Sequence, residues 1–500
     1  MIKLLVKIFS ILLVTAILII IYFSLVGLKT EKFNEVITKQ LLKNNSNIDV
    51  KLKDVNFMLS PLDLSINVKT YAPEIFIDKN KLSLEYIASN IPLKSFFKEN
   101  FIIDDIKLST KFLKIRDVIT LSRIYRNSTE LLILNKIIKE GSIIADINFN
   151  FDENGKRLES IGETLEKERV RLGLVSTASI THATPAGFAS SVLKRGQEDA
   201  IATQYLNRVD VILGGGSRFF DPKTRRDKKD LFGSFARENY DIVQSRADLL
   251  KSKSRKMLGT FAPGYIPYTI DRDQNKEMQK VVPTLAEMSE AALSRFLDDD
   301  ASFLLQIEGA RIDHAAHKND IGAILHEQMA FDDAVAKVLA MTGGRDDILV
   351  VLTSDHGNAN PGLNGTGAGY RQTDESFSKI AKIKGSAEFF LQRWQQTQTK
   401  SAGGLGKLME AIYGFKPSSQ ELEALMDRCA GKKVTEWSNQ LSNPVGLLGQ
   451  IVGNVTGVGW TGICHTSDPT QLTSIGPGAG EFSGLVRNDS VRDRLLGLLL

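Results

Sequence analysis

Apolar and polar residues follow three different spacings along this chain, and each predicts a different structure. From Ile8 to Leu28 the sequence "IFSILLVTAILIIIYFSLVGL" carries no charge. That is long enough to span a bilayer as a helix, which needs about 20 residues. Lys3 and Lys7 precede the run and Lys29 follows it. It is longer than a signal-peptide apolar region and no small-x-small cleavage site follows it. An uncleaved anchor over residues 1–29, N-terminus inside, is therefore expected. Residues 30–155 instead alternate in short runs: "LDLSINVKTY" (62–71), "EIFIDK" (74–79) and "SIIADINFNF" (142–151). Period-two alternation predicts half-buried strands. "SRIYRNSTELLILNKIIKEG" (122–141) predicts a helix ended by Gly141, so this stretch reads as a small β-rich α+β region.

After Leu158 the pattern changes again. "LESIGETLEKE" is amphipathic, and continuous apolar runs follow: "RLGLVS" (171–176), "DVILGGG" (210–216), "SFLLQIEG" (302–309) and "DILVVLTSDHG" (347–357). Between the last two lies "IGAILHEQMAFDDAVAKVLAM", helical by spacing. Unbroken apolar strands alternating with helices predict an α/β fold, a doubly wound and mostly parallel sheet covered on both faces. Ligands of such sheets bind beyond the carboxyl ends of the strands.

Composition sharpens the boundary. Up to Arg157 there are 26 isoleucines and three glycines, with no His, Cys or Trp; from Leu158 on there are 18 isoleucines, 36 glycines and all six histidines. Three parts are expected: 1–29, 30–155 and 156–500, with the Gly-, Ser- and Gln-rich stretch 358–464 as a lid or dimer-facing insertion. The net charge of +4 on 500 residues excludes a nucleic-acid partner. The most basic run, "DPKTRRDKKD" (221–230), mixes signs and reads as a solvated loop. Two cysteines, Cys429 and Cys464, define no disulfide framework and no thiolate metal cluster.

The chemistry lies at the predicted strand ends. Thr184 follows the first apolar run, Glu308 closes the third, and Asp355 and His356 close the fourth. In "EGARIDHAAHKND" (308–320), Asp313 and His317 are four apart, so one helical turn puts both on one face. "GICHTSDPTQLTSIGPGAG" places His465 before another extended run. Any such pair alone is ordinary surface polarity more often than a site, and "GGG" (214–216) is more often a turn than a phosphate cradle. His326, mid-helix without a partner, reads as structural. The recurrence at successive strand ends is what points to metal. Carboxylates mixed with imidazoles, without thiolate, suit Zn²⁺ with a neighbouring Mg²⁺. Two close divalent ions are the arrangement of phosphoryl transfer.

The motifs "STASITHATPAGFASSVLKRG", "DVILGGGSRFF", "DIVQSRADL", "EGARIDHAAHKND", "LVVLTSDHGN" and "GICHTSDPTQLTSIGPGAG" together resemble the alkaline phosphatase family over about residues 156–500. The resemblance implies that Asp313, His317 and His465 hold one zinc, that Asp355 and His356 hold a second, and that Thr184 and Glu308 belong to a magnesium site. His182 and His314 match positions that tune that third metal. Arg195, placed on the helix after Thr184, matches the arginine that grips the phosphate of a monoester substrate or of inorganic phosphate. A homodimer is also implied. In that family a serine in an Asp-Ser-Ala motif attacks the substrate, and an aspartate in an Asp-Gly motif bridges two metals, both upstream. Residues 1–157 contain neither Asp-Ser nor Asp-Gly, and the nearest serines, Ser160 and Ser176, have the wrong context. The sheet is thus expected to be incomplete. Residues 1–156 resemble the start of AsmA-like membrane-anchored proteins, on the anchor, "DVNFMLSPLDLSINVKTYAPEIFIDKNKLSLEY" and "IIADINFNFDENGK". That resemblance implies that most of the chain lies in the periplasm or outside. Two alternatives stay open: a non-catalytic anchored envelope protein, and a sequence joined from two sources near Asp152–Lys156.

Overall fold

The computed structural model describes residues 157–299, 301–432 and 438–500, residue 150, and short segments between residues 22 and 109. The chain forms two compact units, residues 1–158 with 193–195, and residues 159–192 with 196–500.

The first unit is antiparallel β structure. Its strands are β1 (Leu28–Thr30), β2 (Ile48–Lys51), β3 (Asp54–Ser60), β4 (Ser65–Tyr71), β5 (Glu74–Ile77), β6 (Asn80–Ser83), β7 (Tyr86–Pro92) and β8 (Asp104–Ser109). They form a five-stranded sheet, β1-β3-β4-β7-β8, and a three-stranded sheet, β2-β5-β6. The strands expected at 62–71 and 74–79 are β4 and β5. The expected helix at 122–141 lies outside the described residues, as do almost all of the strand at 142–151 and most of the anchor at 8–28. No described helix is long and apolar enough to cross a membrane.

The second unit is built on a parallel sheet in the order β11-β12-β10-β9-β13. Its strands are β9 (Arg171–Ser179), β10 (Val211–Gly215), β11 (Asp241–Val243), β12 (Met257–Thr260) and β13 (Phe303–Glu308). The helices that matter here are α1 (Ile161–Lys167), α2 (Ala183–Ala189), α3 (Glu198–Gln204), α4 (Leu285–Leu297), α5 (Arg311–His317) and α6 (Ile321–Thr342). β9, β10 and β12 are buried at every position, as unbroken apolar runs require. α4 lies against β9 so closely that a Cβ on Gly173 would come 2.6 Å from the Phe296 ring. Glycine is what permits that approach. Ser160 caps α1 in a reciprocal pair with Glu163, so its hydroxyl is already engaged in holding the helix start.

One expectation changes. The fourth apolar run was expected to join the parallel sheet, but β14 (Val350–Thr353) pairs antiparallel with β19 (Leu472–Ile475) in a separate ribbon. Two further ribbons follow it: β15 (Gly357–Asn358) with β18 (His465–Thr466), and β16 (Gly362–Leu363) with β17 (Val458–Gly459). An apolar run encodes burial rather than a partner, so the ladder it joins is settled by what lies alongside. The stretch 358–464 supplies α7 (Ala387–Gln396), α8 (Ala402–Tyr413), α9 (Ser419–Cys429) and α10 (Pro444–Thr456). Their apolar faces (Phe390, Trp394, Leu405, Met409, Leu425, Ile451) share one core with Ala315 of α5 and Ala323 of α6. This helical layer fixes the two helices that follow β13, and α5 carries Asp313, His314 and His317 of the candidate site.

Candidate metal centre

α5 starts immediately beyond the carboxyl end of β13, so "RIDHAAH" opens at the end of the sheet where ligands are expected. The helix brings Asp313 and His317 together as the four-residue spacing demands, with His317 Nε2 3.6 Å from Asp313 Oδ2. The β15–β18 ribbon delivers the third member: His465 Nε2 lies 3.5 Å from Asp313 Oδ1 and 3.0 Å from His317 Nε2. One ligand atom from each of Asp313, His317 and His465 lies within 4.8 Å of the others.

The donor set fits a metal. His317 Nδ1 lies 2.7 Å from the carbonyl oxygen of Ile463, which can only accept. In the neutral ring the proton is therefore on Nδ1, and Nε2 turns a lone pair toward His465 and Asp313. A carbonyl that fixes the far nitrogen of a ligating imidazole is a usual feature of such sites. Two ring nitrogens 3.0 Å apart beside a carboxylate need a cation or a proton between them. Burial, followed by neighbouring His356, holds His465 below the ordinary histidine range, which favours the lone pair. Asn358 donates from Nδ2 to Asp313 Oδ1 at 2.6 Å and orients the carboxylate.

His356 joins this cluster. Its ring stacks on that of His465 with centroids 3.6 Å apart, and its Nε2 is 3.2 Å from Asp355 Oδ2. His356 Nδ1 is buried without a hydrogen-bond partner, 4.0 Å from Asp313 Oδ1. Asp355 itself is largely exposed.

Glu308 is the last residue of β13. Burial pushes its carboxyl above the usual range, and the charges of Asp355 and Asp313 add to this; hydrogen bonds from Ser176 and Thr184 pull the other way. Ser176 donates at 2.6 Å from within β9. A buried carboxylate with two hydroxyls and nearby negative charge is suited to a hard cation. Thr184 is the second residue of α2, and His182 stands at the N-cap position of the same helix. The ring of His182 meets that of His314 edge-on at 5.4 Å, and Tyr265 contacts both. Arg311 Nη1 donates to His314 Nδ1 at 3.2 Å. Burial first, then the Arg311 charge, brings the His314 pKa down to about 3.

Arg195 is a correction. It was expected on a helix, but α2 ends at Ala189 because Ser190 is extended and its hydroxyl bonds back to the carbonyl of Ala186. Arg195 falls in an exposed turn before α3, and residues 193–195 belong to the first compact unit. Asn358 and Arg311 are not singled out by the sequence, and Ser176, weighed there only as a nucleophile, bonds Glu308 instead. Arg311 is buried, stacks 3.6 Å from the Tyr268 ring centre and pairs with Glu388 at 3.0 Å. Nothing local marks a single arginine in a helix as buried; its partners come from elements far away in sequence. Asn358 follows "DHG" directly, and its position at the predicted strand end was the available signal. His326, expected to have no partner, bonds the Gly322 carbonyl one turn back.

The family model described as alkaline phosphatase matches residues 142–499. Alkaline phosphatase 3 of Bacillus subtilis (strain 168) is 28% identical over 350 residues, covering 68% of this chain and 70% of that protein. The repressible alkaline phosphatase of Saccharomyces cerevisiae is 38% identical over 215 residues, 37% of each chain. Among solved structures, Thermus thermophilus alkaline phosphatase aligns with a TM-score of 0.64 at 31% identity, covering 71% of this chain and 76% of that one. The cold-active alkaline phosphatase of Shewanella sp. aligns with a TM-score of 0.58 at 26% identity, covering 71% and 81%.

Proposed function

From the premise that the chain belongs to the alkaline phosphatase family, we propose that its second unit is a metal centre for phosphate monoesters, with two zinc positions and one magnesium position. The convergence of Asp313, His317 and His465 is the observation that carries this reading. These three would hold the first zinc, Asp355 and His356 the second, and Thr184 and Glu308 the magnesium. Zinc and magnesium supply charge neutralisation for phosphoryl oxygens when bound. The protein's own groups divide the remaining work. His317 is held in one tautomer by the Ile463 carbonyl, and Asn358 fixes the Asp313 carboxylate. His314, neutral and accepting at Nδ1, has its proton on Nε2, available to a neighbouring acceptor. Arg195 is proposed to contact substrate phosphate through its planar fork.

Catalysis is proposed to be slow. The absence of Asp-Ser and Asp-Gly from residues 1–157 supports a chain without the family's serine nucleophile and bridging aspartate. Covalent catalysis is then closed, and attack falls to solvent. The apolar run 8–28 is proposed to anchor the chain, with both folded units on the periplasmic or outer side, and the second unit is proposed to form a homodimer.

Hydrolysis of p-nitrophenyl phosphate with zinc and magnesium added tests the reading. Expected are weak turnover, no trapped phosphoserine, and loss of turnover in Asp313→Asn and His465→Ala. Turnover that survives both substitutions would assign it to something other than this centre. Turnover at the rate of a complete relative, with a phosphoserine, would show that the nucleophile is present after all.

A further inference from the structure

We propose that Asn319 is a positioning residue of the metal centre: its side-chain amide ties α5 to the 462–465 segment, which brings the Ile463 carbonyl to His317 and carries His465. The inference rests on the metal-centre reading of Asp313, His317 and His465.

Asn319 stands where α5 stops. His317 is the last residue of that helix and Lys318 its C-cap. Asn319 follows with φ at 51°. This is the left-handed turn that commonly ends a helix, adopted by glycine without steric cost and tolerated by asparagine. Its backbone N–H donates to the Ala316 carbonyl at 2.9 Å. Glycine would satisfy that backbone equally, so ending the helix does not account for the side chain. Solvation does not account for it either, because the residue is 2% exposed. α10 presses on the same residue: a Cβ on Gly449 would come 2.6 Å from the Asn319 carbonyl oxygen. The turn is therefore held from outside as well as by its own helix.

The partners of the amide explain it. Nδ2 donates to the Gly462 carbonyl at 2.7 Å, a residue 143 positions along the chain, and Oδ1 accepts from Gln440 Nε2 at 3.1 Å. A carbonyl can only accept, which fixes Nδ2 on the Gly462 side. The next residue, Ile463, offers its carbonyl to His317 Nδ1 at 2.7 Å, and His465 is two residues further on. Asn319 and His317 thus bond two consecutive carbonyls of the segment that delivers the third ligand. The other side of the segment is tied to β15: the Ala359 amide donates to the Cys464 carbonyl at 2.9 Å, and the Thr461 amide to the Ala359 carbonyl at 3.0 Å. That ribbon sets the segment against β15, whereas Asn319 sets it against α5. A preformed site needs its ligands held to within about 0.5 Å. One bond from the ligating imidazole itself is a weak tether for that purpose, and the Asn319 amide supplies a second one that no metal has to displace.

Two readouts on the full chain test the proposal: zinc affinity by chelator competition, and the His317 Nδ1 proton seen by nitrogen-edited NMR of histidine-labelled, metal-free protein. Asn319→Gly keeps the left-handed turn and deletes the amide. Asn319→Asp keeps the shape and sets a carboxylate oxygen against the Gly462 carbonyl. Both variants should bind zinc about tenfold or more weaker than wild type. Both should also lose the slowly exchanging His317 Nδ1 proton, which a fall in stability alone would leave in place in the folded molecules. Zinc affinity within about twofold of wild type in both variants, with the proton retained, would overturn the proposal. Unfolding of both variants would overturn it too, because Asn319 would then serve the fold rather than the centre. A wild type that shows the Nδ1 proton yet binds no zinc would remove the metal-centre reading itself, and this proposal with it.

Discussion

Replacing Arg311 with methionine should destabilise the second unit by about 3–4 kcal/mol, from the contacts it loses. The side chain is 2% exposed. Its guanidinium sits 3.6 Å from the Tyr268 ring centre, worth ~1–2 kcal/mol when desolvated. It donates to Glu388 at 3.0 Å and to His314 at 3.2 Å, together about 1.5–3 kcal/mol. Methionine keeps the apolar volume, so little cavity term is added. Glu388 remains paired with Lys318 at 2.6 Å and is half exposed, so it is not abandoned as a buried lone charge. Urea denaturation followed by tryptophan fluorescence is the assay, because all three tryptophans (Trp394, Trp437, Trp460) fall within the residue range of the second unit. Trp394 belongs to the same core cluster as Tyr268. Arg311→Lys, which keeps charge but loses the planar fork, should fall between wild type and Arg311→Met. A methionine variant within about 0.5 kcal/mol of wild type would refute this account of the buried charge.

Four further outcomes are expected. Gly173→Ala should cost about 1–3 kcal/mol through collision with Phe296 and Leu305, read from the same urea curves; no change would mean α4 can shift freely. Burial raises the Glu327 carboxyl above its ordinary 4.5, so its charge opposes folding increasingly as pH rises from that value upward. Glu327→Gln keeps the acceptor for the Thr269 amide, and its stability relative to wild type should therefore improve between acid and neutral pH; a gain that shrinks with rising pH contradicts the sign. Turnover of p-nitrophenyl phosphate should fall several orders of magnitude below a complete relative, measured side by side with the Bacillus subtilis enzyme. If the chain is joined from two sources near residues 152–156, amplification of source DNA across the codons for residues 140–170 should fail, and one continuous product would exclude the artefact.

Much of the second unit was legible because its chemistry and its packing share a period. Unbroken apolar runs gave β9, β10 and β13 within a few residues, since interior strands of a parallel sheet are covered on both faces and read as near-continuous apolar sequence. Asp313 and His317 were placed together by helical spacing alone, and their approach to His465 followed from the family motifs rather than from periodicity. β11 and β12 were not assigned as strands: at three and four residues they are too short to display a period. β14 was readable as a strand but not by partner, because pairing depends on neighbours a sequence run does not encode. The resemblance puts Arg195 on the helix after Thr184, but the extended Ser190 ends that helix before it. The role of Arg311 comes from contacts with Glu388 and Tyr268 across the fold, which no local pattern announces, whereas Asn358 has only its place after "DHG" to mark it.

The most direct test of the metal centre is zinc content by mass spectrometry of the full chain and of His317→Ala, both purified without chelator and dialysed against trace zinc. Wild type should retain about one zinc per chain, since Asp313, His317 and His465 form a complete protein ligand set. His317→Ala should retain almost none while unfolding at a similar urea concentration once both proteins are stripped of metal. Equal zinc in the two proteins, or none in wild type, would contradict the assignment of this cluster.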